Sequence, residues 1–390
     1  MNKKFALPKI KNELYLGILI LMLKVYGEAS SILPFYNDNF DTMLAMLGIA
    51  CLFSHCVRMR YYRKKEFFYY VLFSILALSS ILLVGNYNIF ITVVTCLAIR
   101  GEKTEDVINF IFRYASLFFG LHLLYALLRI PLTGDTYAKI INGVVRYDMG
   151  FGHPNRFSIL LFNLLLMWIW LHFSEINYTG LAVIFIISLI NYSITRTRTN
   201  EIAIAILLMI LALYRRFPKK ISLLLRWLAM TIVPMLSFLS MMMVMLYQKG
   251  KNVFAVSLDA ILSGRIRLGA YAYEHYGLSL IGKNLTDVKI QYDAVYGLNA
   301  FTFDNIYTDM LMRQGAIWLL VIAVLFYRLA RKRNDSFNFA IVAWGIYGIT
   351  EVHGLNVYML FVILLVNELF ENSRHVEMEC REREGVQKSI

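Results

Sequence analysis

From residue 12 to residue 371 the chain alternates long apolar runs with short polar ones. A helix that crosses a bilayer needs about 20 mainly apolar residues, with a range of roughly 17–25. Runs of this kind lie near 12–33, 40–57, 67–84, 86–100, 106–129, 157–173, 179–195, 200–214, 221–246, 305–327, 337–350 and 356–371. The pattern predicts an all-α polytopic membrane protein with about 12 transmembrane helices, forming one integral membrane domain over 1–390. The segment ahead of the first run is basic, with Lys3, Lys4 and Lys9, but no small-residue cleavage site follows, so the run reads as an uncleaved first helix. No Gly/Ser linker or low-complexity tract interrupts the series. Two connections stand out by length, 130–156 with about 27 residues and 247–304 with about 58. Long loops inside a compact membrane domain usually carry function, so any chemistry is expected on the face these two share.

Composition narrows the class. Of 390 residues 59% are apolar and 17% charged, and the mean hydropathy is +0.58. Soluble domains run near 45–50% apolar and about 25% charged, and disordered chains reverse the balance. Four Cys in this length cannot make a disulfide scaffold; Cys51, Cys56, Cys96 and Cys380 all fall in predicted membrane or cytosol, so no disulfide is expected. The 39 Lys and Arg against 26 Asp and Glu leave a net charge of +13. With the N-terminus inside, 23 of the basic residues fall in the cytoplasmic pieces and 11 in the outer ones, while Lys24, Arg113, Arg129, Arg226 and Arg313 fall within spans. Cytoplasmic loops collect Lys and Arg, so both termini are expected in the cytoplasm and the two long loops outside, the larger as a large extracytoplasmic loop. A charge distributed in this way sets topology and meets anionic membrane lipid. It gives no case for a nucleic-acid partner.

Candidate chemistry gathers in the outer connections. The first long loop ends Arg146-Tyr-Asp-Met-Gly-Phe-Gly-His153-Pro-Asn155-Arg156, and a span helix is expected from Phe157 with Asn155 as its N-cap. Free N–H groups at such a start suit an anion; the structural alternative is a capped re-entrant turn with His153 merely hydrogen-bonded. Arg196 and Arg198, in Thr-Arg-Thr-Arg-Thr, lie at the boundary of two spans. Either they snorkel toward headgroups or, flanked by threonines, they form an anion pocket. In the larger loop Ser263 is placed to cap a short amphipathic helix that ends at Gly277. On such a helix Arg265 and Arg267 lie about 200° apart, so they face opposite ways. Arg267, Tyr271 and Glu274 share one face, which predicts an intrahelical ion pair and leaves Arg265 as the freer ligand. His275 reads as a half-buried interfacial His or as a functional group. Asp304, just before the next span, is either a helix cap or a general base beside an Arg-rich pocket. Glu351 and His353, in the last outer turn, divide in the same way between structural and supporting roles. No metal-ligand spacing, P-loop, Gly-rich dinucleotide turn or Gly-x-Ser-x-Gly elbow occurs, so neither metal nor cofactor is expected. Arginines without a metal site suit a diphosphate, which a guanidinium grips in a planar, bidentate manner.

Taken together these pieces resemble the bacterial polysaccharide polymerase family, the Wzy-type O-antigen or capsule repeat-unit polymerases of the O-antigen polymerase/ligase superfamily. The resemblance is carried by Gly-Phe-Gly-His153-Pro-Asn155 before a span, Thr-Arg198-Thr at a helix start and Ser-Gly-Arg265 early in the large loop. Leu-Ile-Gly282-Lys-Asn follows, then Asp304-Asn305-Ile-Tyr ahead of a span with Gly315. It covers about 140–370, and the N-terminal third matches only in hydropathy.

The resemblance implies a GT-C-like fold in the bacterial cytoplasmic membrane, with the active site on the extracytoplasmic side. The implied activity is a metal-independent, inverting glycosyl transfer in capsule, exopolysaccharide or O-antigen biosynthesis. A growing glycan would move from undecaprenyl diphosphate onto the non-reducing end of a fresh lipid-linked repeat unit. Arg198 and Arg265 would hold the diphosphate, with Arg156 and Arg196 as lesser candidates; His153, Asn155 and Arg267 complete the implied binding set. In the related ligases a His usually stands where this chain has Asp304, which points to the polymerase branch and leaves the base open between Asp304 and His275. The implied partners are the undecaprenyl-diphosphate-linked oligosaccharide as donor and acceptor, with a chain-length regulator and a flippase as candidate protein partners. Two other readings compete: a lipid-linked oligosaccharide flippase, which also has about 12 spans, and a ligase-like glycosyltransferase with a different acceptor. Transporters usually show an internal repeat and midplane polar residues, whereas here the two halves look unlike.

Overall fold

The computed structural model describes residues 11–58, 64–85, 87–141, 143–250, 252–296, 301 and 303–370. Both termini, and with them the cytoplasmic placement expected for them, lie outside the described residues, as does Cys380. The protein is 78% helical. In chain order the helices are α1 (Lys11–Ala29), α2 (Asp38–Arg58), α3 (Lys64–Val84), α4 (Asn88–Ala98) and α5 (Thr104–Thr133). A short hairpin follows, β1 (Ala138–Ile141) antiparallel to β2 (Val144–Tyr147), so the fold is not purely helical. Then come α6 (Pro154–Leu171), α7 (Tyr178–Thr195), α8 (Arg198–Arg216) and α9 (Pro218–Gln248). The larger loop is itself built of helices, α10 (Val253–Ile261), α11 (Arg265–Tyr276) and α12 (Thr286–Tyr296). The chain ends in α13 (Ile306–Asp309), α14 (Ala316–Ala330), α15 (Asp335–Gly348) and a 3-10 helix, Phe361–Phe370.

This is a membrane protein by the length and apolarity of its helices. Five of them, α2, α5, α6, α7 and α9, are long and apolar enough to cross a bilayer, and three shorter apolar stretches lie at Phe68–Val84, α4 and α14. The expected count of 12 is therefore not met by helices of full length. The 11 residues of α4 reach only about 16 Å, roughly half the hydrocarbon thickness.

The connections nonetheless sort into two ends. Ser31 donates its N–H to Gly150 O at 2.8 Å, Arg146 Nε donates to Thr195 O at 2.7 Å, and Asn356 Nδ2 donates to Asn88 Oδ1 at 3.2 Å. At the other end Arg58 pairs with Glu13 at 2.6 Å, Arg215 donates to Phe173 O at 2.6 Å, and Tyr214 and Ser222 both donate to Asp335. Close packing relies on small residues. A Cβ on Gly48 would stand 2.6 Å from Leu21 Cγ, and one on Gly17 2.8 Å from Leu52 Cδ2, so α1 and α2 meet through glycine.

Two of the expected spans are broken, and both breaks have a backbone cause. The run 305–327 is not one helix: α13 passes into a π turn, Met310–Gln314, and stops at Gly315. The extended segment 279–283 lies against that stop. Ser279 N–H donates to Leu311 O at 2.9 Å, Lys283 N–H to Arg313 O at 2.8 Å, and Ala316 N–H to Ser279 O at 2.8 Å. Gly315 has φ 108°, and a Cβ there would lie 2.6 Å from Leu280 O, so only glycine fits. The run 356–371 is likewise no α-helix. Residues 354–366 are buried in the main core, and the groups left free by their turns are met by polar side chains from neighbouring helices. Asn163 donates to Tyr358 O at 3.3 Å and accepts from Phe361 N–H at 3.1 Å. Thr92 donates to Leu355 O at 2.6 Å; in the reverse sense Asn367, on the segment itself, donates to Glu102 O at 3.0 Å.

Leucine at position 163 would leave one carbonyl and one N–H unpaired in an apolar interior. Each such group costs about 1–3 kcal/mol, so Asn163→Leu is expected to destabilise the fold by about 2–5 kcal/mol. The readout is a lowered midpoint of thermal or detergent-induced unfolding, and an unchanged midpoint would contradict the role given to Asn163.

Candidate functional site

The helices of the larger loop pack on the C-terminal end of α9 and on the π turn through Val244, Leu268, Ala272, Val288, Tyr292 and Met312, a core separate from the main one. That packing fixes the start of α11. Ser263 does not cap it, contrary to expectation: Ser263 and Gly264 both have left-handed φ, 58° and 87°. Asp259 does so instead, accepting the Arg267 N–H at 2.9 Å, while its own carbonyl accepts Gly264 N–H at 2.8 Å. The turn drives Arg265 inward to 8% exposure, whereas Arg267 on the opposite face is exposed and hydrogen-bonds Tyr292. The expected Arg267–Glu274 pair is not among the ion pairs of the described residues. Seven residues put the two about 10 Å apart along the axis, too far for the pairing that spacings of three or four allow.

Arg265 meets Asp304. Its Nη1 donates to Leu262 O at 3.0 Å, and its Nη2 stands 3.4 Å from Asp304 Oδ2, while Nε is buried without a partner. Asp304 is not the helix cap; Asn305 is, accepting Tyr307 N–H at 2.9 Å and Thr308 N–H at 3.2 Å. This leaves the Asp304 carboxylate free to face a cavity of about 430 Å³. Asn88, Lys289, Asp309, Arg313 and His353 line the same cavity. Asp309, 1% exposed, accepts from Arg313 Nε at 2.5 Å and from Gln314 at 3.2 Å.

The turn after α15 joins these groups. Glu351, 7% exposed, has its carboxyl pushed well above the ordinary range by burial, then by the Asp304 charge, with Arg265 pulling the other way. Burial also raises Asp304, and Arg265 offsets it. Two carboxyls thus share one guanidinium. His353 is held neutral, its pKa pushed down to about 4 by burial and then by the charges of Arg156 and Arg313.

None of the described residues of the first long loop lines this cavity; its link to the site is the charge of Arg156 acting on His353. His153, not Asn155, is the N-cap of α6: its Nδ1 accepts Asn155 N–H at 3.1 Å, and Pro154 opens the helix because its missing N–H is not needed there. The helix therefore starts three residues before the expected Phe157. Close packing, then Arg146, Lys139 and Arg156, push the His153 pKa down to about 4, which keeps Nδ1 an acceptor. Asn155 accepts from Arg146 at 3.1 Å, and Arg156 donates to Glu28 O at 3.1 Å.

Other expected ligands lie apart. Arg196, in a left-handed conformation, lies over the Tyr192 ring at 5.8 Å, and Arg198 is exposed at the first turn of α8. Of the threonines beside them, Thr195 and Thr197 bond each other at 2.7 Å and Ser158 at 3.1 and 2.7 Å. His275 is exposed rather than half-buried, with Nδ1 at 2.8 Å from Tyr271 O. It stands ten residues, or about 15 Å, along α11 from Arg265. Sequence reasoning passed over Arg146, Asp309 and Gln314, although the Asp309–Arg313 spacing of four was a legible sign. No group of three or more His, Cys, Asp or Glu suited to a metal occurs among the described residues. No family model, curated protein or solved structure matches this chain.

Glu351 also makes a pH prediction. A raised carboxyl contributes stability that is fully present below the unfolded value, near pH 4.3, and is lost as pH rises through the folded value. The unfolding temperature of the wild type is expected to fall from pH 4 to pH 9 more steeply than that of Glu351→Gln; parallel curves would remove Glu351 from the buried pair.

Proposed function

We propose that this protein is a polysaccharide polymerase that transfers a glycan from undecaprenyl diphosphate to a lipid-linked repeat unit. The observation that carries this reading is the inward-turned Arg265, with donors to spare, paired to a carboxylate that faces a polar cavity. In this reading the outer face of a bacterial cytoplasmic membrane lies at the Arg265 end, the chain crosses in a GT-C-like arrangement of about 12 passes, and both termini are cytoplasmic.

The chemistry follows from the groups at hand. Arg265 and Arg313 hold the diphosphate, since a guanidinium presents paired donors to phosphate oxygens. As the diphosphate takes up Arg265, Asp304 loses its counter-ion and becomes the better base. The acceptor hydroxyl oxygen then attacks the anomeric carbon from the face opposite the leaving group, its proton passes to Asp304, and the bond to the diphosphate breaks with inversion. A groove beside the cavity supports a lipid-linked substrate. It is lined by Phe73, Val93, Leu97, Val321 and Leu325 and shares Ile89 and Leu355 with the cavity wall. Polar head and hydrocarbon tail would thus have adjoining berths.

A transporter reading is favoured by one observation. Lys24, 1% exposed within α1, pairs with Glu28 at 2.5 Å and Asp41 at 3.3 Å, and buried charges inside spans often mark transport paths. One assay separates the readings: purified protein given only the lipid-linked repeat unit in detergent, without gradient, metal or second acceptor. A ladder of lengthened chains is expected. Arg265→Ala is expected to lower its rate at least about 100-fold and leave single repeat units, and Asp304→Asn is expected to remove the acid limb of the pH–rate profile. A ladder at wild-type rate in folded Arg265→Ala protein would overturn the proposal.

A further inference from the structure

The opposite end of the molecule holds a second polar cavity, of about 630 Å³, which glycosyl transfer does not use. It lies along one face of α5 and is closed on one side by Tyr15 of α1. The α5 residues that line it, Asp106, Asn109, Arg113 and Leu117 with two aromatic rings, recur at helical spacing. Tyr15, Phe110 and Tyr114 form a continuous wall, with ring centroids 4.6 Å apart at each step.

The guanidinium of Arg113 needs an explanation. With 30 residues α5 is about 45 Å long, and the hydrocarbon layer is about 30 Å thick. Arg113 stands nine residues, or about 14 Å, from the start of α5, which puts its Cα several ångströms inside the hydrocarbon edge of a centred helix. It is exposed, and among the described residues it has neither an ion pair nor a hydrogen bond. A lone cation at that depth is costly. Helical side chains lean toward the N-terminus, so the guanidinium leans toward Asn109 and Asp106. It stops short of a salt bridge with Asp106, and a gap lies between a free cation and a free anion.

We infer that this gap binds the headgroup of phosphatidylethanolamine, with the phosphate on Arg113 and the ammonium on Asp106 and Asn109. The order of groups along α5 is the order along such a lipid. Acid and amide come first, then the guanidinium, then Leu117, Leu121 and Leu124, all three of them on the helix surface. A trimethylammonium has no N–H to give Asp106, and a glycerol headgroup has no positive charge to offset it. The site therefore selects for a primary ammonium. It is independent of the glycosyl-transfer reading.

The test is native mass spectrometry of the full-length protein in mild detergent, titrated with dioleoyl phosphatidylethanolamine, phosphatidylglycerol or phosphatidylcholine. Wild type is expected to retain phosphatidylethanolamine about tenfold more tightly than phosphatidylcholine, the scale of one charge-assisted hydrogen bond. Asp106→Asn is expected to abolish that preference, and Arg113→Gln to weaken all three lipids, with Arg113→Lys restoring binding. Both side chains are exposed, so the variants should keep the wild-type circular dichroism and elution volume. Equal retention of the three lipids by wild type would overturn the inference. So would an ethanolamine preference that survives Asp106→Asn, or a phosphatidylglycerol preference in wild type.

Discussion

The structure depends on one requirement: backbone groups released by broken helices inside an apolar bundle must find partners there. Among the described residues, the expected spans of the C-terminal part lose regular helix at Gly315 and through 349–360. The first break is closed by another stretch of backbone, 279–283, and the second by Asn163 and Thr92. Each closure places a segment of the candidate site. The π turn beside Gly315 turns Asp309, Arg313 and Gln314 toward one another, and the irregular turn after α15 carries Glu351 and His353 to the same region. Straight helices would need no such partners, and would offer no such site.

The charges at the site are balanced before any ligand arrives, but unequally. Arg313 is bound to Asp309 at 2.5 Å with a further donor from Gln314 on the same carboxylate. Arg265 stands at 3.4 Å from Asp304 and keeps a buried Nε without a partner. Desolvating a guanidinium costs several kcal/mol, and only good geometry returns that cost. Arg265 is therefore the group with most to gain from an incoming anion, and Arg313, whose Nε is already engaged by Asp309, has less to gain. Glu351 is raised by burial first and by the Asp304 charge second, and the one loosely held guanidinium, which serves both carboxyls, offsets this only in part.

Local features were legible in the sequence, and non-local ones were not. Apolar runs located the five long helices, and the angle of 100° per residue foretold that Arg265 and Arg267 part company. Hydropathy measures composition, not continuity of the backbone. It could not show that Gly282 and Gly315, 33 residues apart, touch and so break a span. Nor could it show that 247–304 folds into three helices with their own small core. The meeting of Arg265 with Asp304 depends on that core and on Asn305 taking over the cap. His153 displaced Asn155 as a cap because Pro154 fits the first helical position and a neutral imidazole accepts as well as an amide. The Arg267–Glu274 pairing failed on distance alone.

The N-terminal third, whose sequence speaks only through hydropathy, is tied into the site by its own chemistry. Lys24 sits between Glu28 and Asp41, and Tyr87 of the α3–α4 connection donates to the same Asp41 at 2.7 Å, so α1, α2 and that connection are clasped around one buried cation. The clasp fixes the last turn of α1. From that turn Glu28 O receives Arg156, and just beyond it Ser31 grips Gly150 O through both N–H and hydroxyl. Arg156 is the cation that both His153 and His353 sense. A substitution at Lys24 would leave the buried Asp41 carboxylate without its cation, and the strain would reach the Gly150–Arg156 segment through two short connections. The distance from Lys24 to the cavity is thus no measure of its independence from it.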